Sequence, residues 1–440
     1  MAPRDDFFPE PPRRPYDPRP RPGRPPGGPR GPGTGPRFPS PPPRNDAPPP
    51  RPAPSSSAPA PARDPGNLEY FAPCSLGVEA ALTAELVELG ARDLSTRPGG
   101  VSFRGDRRLG YAANLWLRSA VRVQDLLLRA PARGKDELYD AVYRIDWAQH
   151  MRLDQTLAVD ASVRDSELTH SSFVALTVKD AIVDQFRARR GRRPSVNVDA
   201  PDLPLKVVLK ADQLTIWRNL SGDSLHRRGY HALQVKSPLN EATAAGLLRL
   251  AEWDRASPLV DPMCGSGTFV IEAAMLAADR APGLERRFAF ERWPDLDAEL
   301  LRTLRAEARA RAKATLPFAL EGSDRHGGAV AIARRSAEHA GVGPLVRFSV
   351  EDAARWTPPC APPFTVLCNP PYGERIGEGD DLVASWRALG RFLAERCQGA
   401  RAFVLCGNRE MVPHLGLESR RQFSVMNGQI ECRLLEYDLR

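Results

Sequence analysis

Two short stretches hold the residue types that could do chemistry. Asp261-Pro-Met-Cys-Gly-Ser-Gly-Thr268 reads as a strand end turning through glycines into a helix. Asn369-Pro-Pro-Tyr372 reads as a rigid loop after a later strand. Gly265 and Gly267 allow close backbone approach, and the helix opened by Thr268 presents N–H groups at its start. The first stretch lacks both the G-x-G-x-x-G dinucleotide pattern and the G-K-[ST] of a phosphate loop, so phosphate is not the expected guest. A D-x-x-x-G-x-G turn suits the amino-acid part of S-adenosylmethionine, with Asp261, Pro262, Gly265, Gly267 and Thr268 around it. The second stretch suits a planar nitrogen acceptor, whose lone pair is delocalised into a ring. Two fixed acceptors on its N–H bonds can turn that pair toward a methyl group. The Asn369 side-chain oxygen and the Pro370 carbonyl are the natural candidates. Pro370 and Pro371 fix φ and offer no competing N–H, and Tyr372 can stack on a base. In-line displacement at a sulfonium methyl needs alignment and electrostatics more than a general base or a metal.

Two further carboxylates fall at predicted strand ends. Asp324 follows a strand at 318–321 and can take both ribose hydroxyls of an adenosine, or can simply cap the next helix. Asp352 follows a strand at 345–350 and can accept from the adenine amine, or can be a plain surface acid.

The elements that must position these residues are those of a doubly wound sheet. Strands are expected at 259–261, 318–321, 345–350, 364–368 and 401–407, with a closing pair at 423–427 and 431–438 around the Asn427-Gly428 turn. Helices are expected at 242–253, 268–280, 329–340 and 381–396, and the insert 281–314 has helical composition. Pro238 sits near the first turn of the helix at 242–253.

Ahead of this half lie two small α+β units. The first has strands at 68–73 and 100–104 and helices at 77–90 and 107–123. The second has strands at 126–130, 156–163, 205–209 and 213–220 and helices at 135–145 and 171–190. The last helix carries Val174, Val178, Ile182 and Phe186 at every fourth position. It runs into Arg187, Arg189, Arg190, Arg192 and Arg193, which suit either the helix dipole alone or an RNA backbone. Residues 221–236 read as a linker, in which Arg227 and Arg228 could touch phosphate or be solvated.

The 440 residues carry a formal charge of +8, which favours an acidic partner such as nucleic acid. Residues 1–66 hold eleven Arg against six Asp and Glu, and 25 of the 45 prolines, so most of that charge belongs to a tail. Such a stretch cannot bury enough apolar surface to order itself and reads as a disordered, polyproline-like arm, either solubilising or binding phosphate weakly. The seven cysteines show no C-x-x-C spacing, and no apolar run reaches 18 residues. The expectation is a cytoplasmic protein without a disulfide framework, metal site or membrane span.

Residues 126–220 resemble a THUMP domain through Val178-Lys-Asp-Ala-Ile-Val-Asp184, Arg193-Pro-Ser-Val-Asn197, Asp199-Ala-Pro-Asp202 and Asp212-Gln-Leu-Thr-Ile216. Residues 67–125 resemble the ferredoxin-like subdomain that precedes it, and 237–440 a Rossmann-like class I methyltransferase domain. With SGDSLHRRGY, DPMCGSGTFVIEAA, APGLERRFAFERW, EGSD, CNPPYGERIG and NGQIECRLL, residues 68–440 resemble the THUMP-containing RNA methyltransferases, closest to the bacterial 23S rRNA guanine-N2 enzymes. The resemblance implies that Glu241, Asp261, Pro262, Gly265, Gly267, Thr268, Asp324 and Asp352 bind S-adenosylmethionine. It implies that Asn369, Pro370, Pro371 and Tyr372 form the base site, and that Lys179, Arg190, Arg192, Arg193, Arg227 and Arg228 meet RNA. The partner implied is 23S rRNA or a pre-ribosomal particle, alternatively tRNA. An RNA-binding or assembly protein without catalysis is the alternative of another class. Two positions depart from the family pattern: Thr365 stands where an acid is frequent, and Asn240 where a basic residue is.

Overall fold

The structure is a computed structural model and describes residues 64–231, 239–371, 373 and 382–439. All but the last three residues of the Pro/Arg-rich arm lie outside these, and so does Tyr372.

The first module is β1 (Leu68–Pro73), α1 (Glu79–Glu88), β2 (Arg92–Arg97), β3 (Gly100–Gly105) and α2 (Arg107–Trp116). The second is β4 (Gln124–Pro131), α3 (Lys135–Tyr143), β5 (Thr156–Arg164), α4 (Ser171–Arg190), β6 (Ser195–Val196), β7 (Leu203–Lys210) and β8 (Gln213–Asn219). The two are not separate sheets. Among the described residues they share one sheet in the order β2-β3-β1-β4-β8-β7-β5-β6. The seam is antiparallel: Tyr70 of β1 lies opposite Asp125 of β4, and Gln124 of β4 opposite Asn219 of β8. Period-2 alternation explains which faces are buried: Leu203, Leu205, Val207 and Leu209 of β7 point into the core.

The amphipathic stretch at 171–190 forms α4 and closes on Gly191, at φ +68°, whose N–H donates to the Arg187 carbonyl at 2.9 Å. The helix expected over 107–123 is shorter than its pattern. It stops at Trp116, where Leu117 turns to an extended backbone. Arg118 is then drawn inside: its N–H reaches Glu85 at 2.8 Å, and its guanidinium reaches the Met275 and Arg280 carbonyls at 3.1 and 2.7 Å. These tertiary bonds outweigh helix propensity.

The third module holds α5 (Glu241–Leu250), β9 (Leu259–Asp261), α6 (Thr268–Ala277), α7 (Ala298–Arg311), β10 (Leu320–Asp324), α8 (Gly327–His339), β11 (Arg347–Val350), β12 (Thr365–Cys368), α9 (Leu382–Arg396), β13 (Arg401–Cys406), β14 (Arg421–Asn427) and β15 (Ile430–Asp438). Its sheet runs β11-β10-β9-β12-β13-β15-β14, parallel except for β15 against both neighbours. The chain winds to one side of β9 for β10 and β11, then to the other for β12. That reversal opens a crevice beyond the carboxyl ends of the strands.

Only the second half of the 281–314 insert is a regular α-helix. The first half is a largely irregular stretch that buries Phe288, Phe290 and Trp293 and docks on the second module. The Trp293 indole donates to the Asp202 carbonyl at 2.8 Å, and Gln155 donates to the Arg292 carbonyl at 2.6 Å. Arg218 of β8, 5% exposed, ion-pairs with Asp125 at 2.6 Å and with Asp295 of the insert at 3.0 Å, its guanidinium 4.4 Å from the Trp293 ring centre. No described helix is long and apolar enough to cross a membrane.

Candidate active site

The crevice at the strand ends collects the residues singled out for donor binding. Asp261 closes β9, Asp324 closes β10, Asp352 lies two residues past β11, and Asn369 follows β12. Parallel pairing holds Gly322 against Asp261 and Asp324 against Val350.

Asp324 grips the glycine turn directly. Gly265 N–H donates to its Oδ2 and His326 N–H to its Oδ1, both at 2.9 Å. The turn itself requires glycine. Gly267 sits at φ +79°, and a Cβ there would lie 2.9 Å from both the Ala333 Cβ and the Phe348 ring. Gly265, at φ +53°, faces open space, the room a ligand needs against the backbone. Pro262 and Thr268 are buried parts of the same turn. Asp352 accepts from the Ala354 N–H at 2.8 Å, an Asx-type turn that leaves it half-buried at the rim.

The floor is acidic. Asp261 is 2% exposed, and burial pushes its carboxyl up to about 8; the nearby Asp324 adds to this, while bonds from the Met263 N–H and the Cys368 thiol oppose it. Glu241 stands at the first position of α5 because Asn240 caps that helix, accepting from Ala242 and Thr243 at 2.9 and 3.2 Å. Burial raises its carboxyl to about 7; its own backbone N–H pulls downward and Glu272 pushes further up. Two buried carboxylates held this far above their ordinary range fit a ligand that brings positive charge. The ammonium and sulfonium of S-adenosylmethionine supply that charge, so the residues present fit this donor.

On the acceptor side, Pro370 is buried and Asn369 half-buried. Asn369 Oδ1 is a buried acceptor without a hydrogen-bond donor among the described residues. A buried carbonyl oxygen left unpaired costs roughly 1–3 kcal/mol, so an N–H arriving there is favoured. Pro371 offers no such vacancy: its carbonyl accepts the Trp386 indole N–H at 2.7 Å. The stacking role expected of Tyr372 falls outside the described residues.

The cationic positions are dispersed. Arg190, Arg192 and Arg193 are exposed around the end of α4. Lys179 pairs with Asp180 at 2.5 Å and stands about 16 Å back along the same helix. Arg227 is exposed on the linker. Arg228 corrects an expectation. Its side chain is 1% exposed, ion-paired with Glu272 at 3.3 Å, and donates to the Leu225 and Arg118 carbonyls, each at 2.6 Å. A guanidinium with its donors taken up inside the protein cannot meet phosphate.

Sequence reasoning missed the other half of that contact. Glu272 is wholly buried on α6 and also accepts from the Tyr230 hydroxyl at 3.0 Å. One signal existed: a lone acid in the otherwise apolar run Thr268–Ala277 must have a partner. His231, beside it, lies 3.5 Å from Thr268, 3.4 Å from Ser336 and 3.8 Å from Glu241, which ties the linker to the crevice. A cavity of about 740 Å³ lies apart, between the modules. Arg107, Tyr111, Arg218, Phe290 and Asp295 help line it, and none of the donor-site residues does.

Residues 69–124 match the RlmL ferredoxin-like domain, 132–217 the THUMP domain, and 228–436 the RMKL-like methyltransferase domain. Ribosomal RNA large subunit methyltransferase K/L of Syntrophotalea carbinolica is 42% identical over 84% of this chain and 54% of its own length, so the chain spans about half of that relative. The protein slr0064 of Synechocystis sp., provisionally named an RNA methyltransferase, is 38% identical over 84% of this chain and 96% of its own length. The crystal structure of SMU.472, a provisionally assigned methyltransferase solved with S-adenosylhomocysteine, superposes with a TM-score of 0.77 at 29% identity, over 85% of this chain and 99% of that one. The chain belongs to the THUMP-containing family of class I, S-adenosylmethionine-dependent RNA methyltransferases.

Proposed function

We propose that the chain transfers a methyl group from S-adenosylmethionine to the exocyclic N2 of a guanine in 23S rRNA. The observation that carries the chemistry is the buried Asn369 Oδ1, which meets no donor among the described residues, at the end of β12, one strand away from Asp261. An amine N–H that fills this vacancy, with a second N–H on the Pro370 carbonyl, is held planar to the loop with its lone pair out of plane. The donor supplies an electrophilic methyl group. Asp261, Glu241, the glycine turn and Asp324 hold it, Asp352 receives its adenine, and the proximity of the two sites does the rest. The choice of rRNA is supported by the K/L relative, and the choice of a large RNA by the exposed Arg190, Arg192 and Arg193 around the end of α4.

Mass-spectrometric mapping of 23S rRNA and tRNA from cells with and without the gene tests this. The expected result is one N2-methylguanosine missing from 23S rRNA and restored by the wild-type gene. Intact 23S rRNA with a methyl group missing from tRNA would transfer the assignment to tRNA.

A further inference from the structure

Resting on that reading of the acceptor loop, we propose that Trp386 is a positioning residue whose indole N–H fixes the geometry of Asn369-Pro-Pro. The argument starts with torsions. Asn369 and Pro370 each precede a proline, which confines their ψ to the extended range, and the two rings fix φ of Pro370 and Pro371. Past φ of Asn369, the next soft torsion of the loop is ψ of Pro371, which a tyrosine follows. Its carbonyl direction reports that torsion, and it accepts the Trp386 N–H at 2.7 Å. Trp386 is itself 0% exposed in the first half of α9, so its ring has one place to be.

The far end of the same helix is held as firmly. Arg396 donates to the Ala354 carbonyl at 3.2 Å, the Trp356 carbonyl at 2.9 Å and the Thr357 hydroxyl at 3.0 Å. These carbonyls belong to the turn that carries Asp352. Helix α9 thus braces the acceptor loop with one end and the adenine-side turn with the other. The bond also selects acceptors. With the Pro371 carbonyl directed at the Trp386 N–H, Asn369 Oδ1 and the Pro370 carbonyl are the oxygens assigned to the incoming amine. A freed Pro371 carbonyl would compete for the same N–H groups and turn the lone pair away from the methyl group.

Trp386→Phe keeps the buried ring and deletes the N–H. Transfer of labelled methyl from S-adenosylmethionine to total RNA from cells lacking the gene gives kcat and the half-saturating RNA concentration; calorimetry gives the S-adenosylmethionine dissociation constant. The expected result is a fall in kcat of at least tenfold, with the dissociation constant, the half-saturating RNA and the melting temperature near wild type. A kcat within twofold of wild type overturns the proposal. Should the variant fold poorly, benzothienylalanine at position 386, which puts sulfur in place of the N–H at nearly the same shape, decides it by the same two outcomes. Asn369→Ala is measured alongside. Its loss of transfer, with Trp386→Phe unaffected, removes the role of Trp386 and leaves the loop reading standing. Its full activity removes the loop reading, and the role of Trp386 with it.

Discussion

Asp261 and Glu241 lie in the crevice with pKa values raised to about 8 and about 7, and this has two opposite consequences for pH. In the donor-free protein the folded state holds these protons more tightly than the unfolded chain. The stability they contribute is complete below the ordinary carboxylate range, near pH ~4, and is lost as pH rises through 7 and 8. Donor binding runs the other way. An ammonium and a sulfonium favour the ionised carboxylates, so binding expels protons. S-adenosylmethionine should therefore bind more tightly from pH 6 to 8.5, by up to about tenfold per unit where one proton is released. Calorimetry in buffers of different ionisation enthalpy should detect that release. Affinity independent of pH, with no proton release, would mean these acids stay neutral around the donor. Of the residues involved, the places of Asp261 at a strand end and Gly267 in the turn were legible because they follow from local spacing. Arg228 was not. A polar decapeptide says nothing about a partner 44 residues away on α6, and only that partner turns an arginine inward.

At the scale of elements, the glycine turn is held tight because Ala333 of α8 and Phe348 of β11 pack hard behind Gly267. Gly267→Ala meets this packing at 2.9 Å and adds a left-handed backbone that alanine resists. The substitution should cost roughly 1–3 kcal/mol of folding stability and weaken S-adenosylmethionine binding by more than tenfold. Denaturant melts and calorimetry check the two parts, and a variant that binds the donor normally would show that the turn tolerates a shift. Legibility differed between elements for physical reasons. Helix α4 was readable to its last residue because period and cap agree. Helix α2 was overextended because Leu117, Ala120, Val121 and Val123 keep an apolar pattern after the backbone has left the helix. Strand β2 was missed because Arg-Asp-Leu-Ser-Thr-Arg at a sheet edge is mostly exposed and shows no alternation.

Across the whole molecule, the modules are joined by buried charge as well as by apolar packing. Arg218 links β4 to the insert of the third module through Asp125 and Asp295. Arg218→Met removes the buried ion pair with Asp125 and the one with Asp295, and should cost about 3–5 kcal/mol. Urea unfolding should then separate into two transitions, with S-adenosylmethionine protecting only the later one. A single transition at the wild-type midpoint would show that the link contributes little. The eight-stranded sheet has a further consequence, in the timing of synthesis. Strand β1 leaves the ribosome early, yet its neighbour β4 is flanked on its other side by β8, which begins roughly 140 residues after β1 ends. At elongation rates of roughly 5–20 residues per second, the roughly 80 residues between the end of β4 and the start of β8 take about 4–16 s, during which β1 and β4 form an open edge able to pair with another nascent chain. The first module is therefore a poor candidate for expression by itself, and slow translation between residues 131 and 213 is the stage at which this protein is most exposed to aggregation on polysomes.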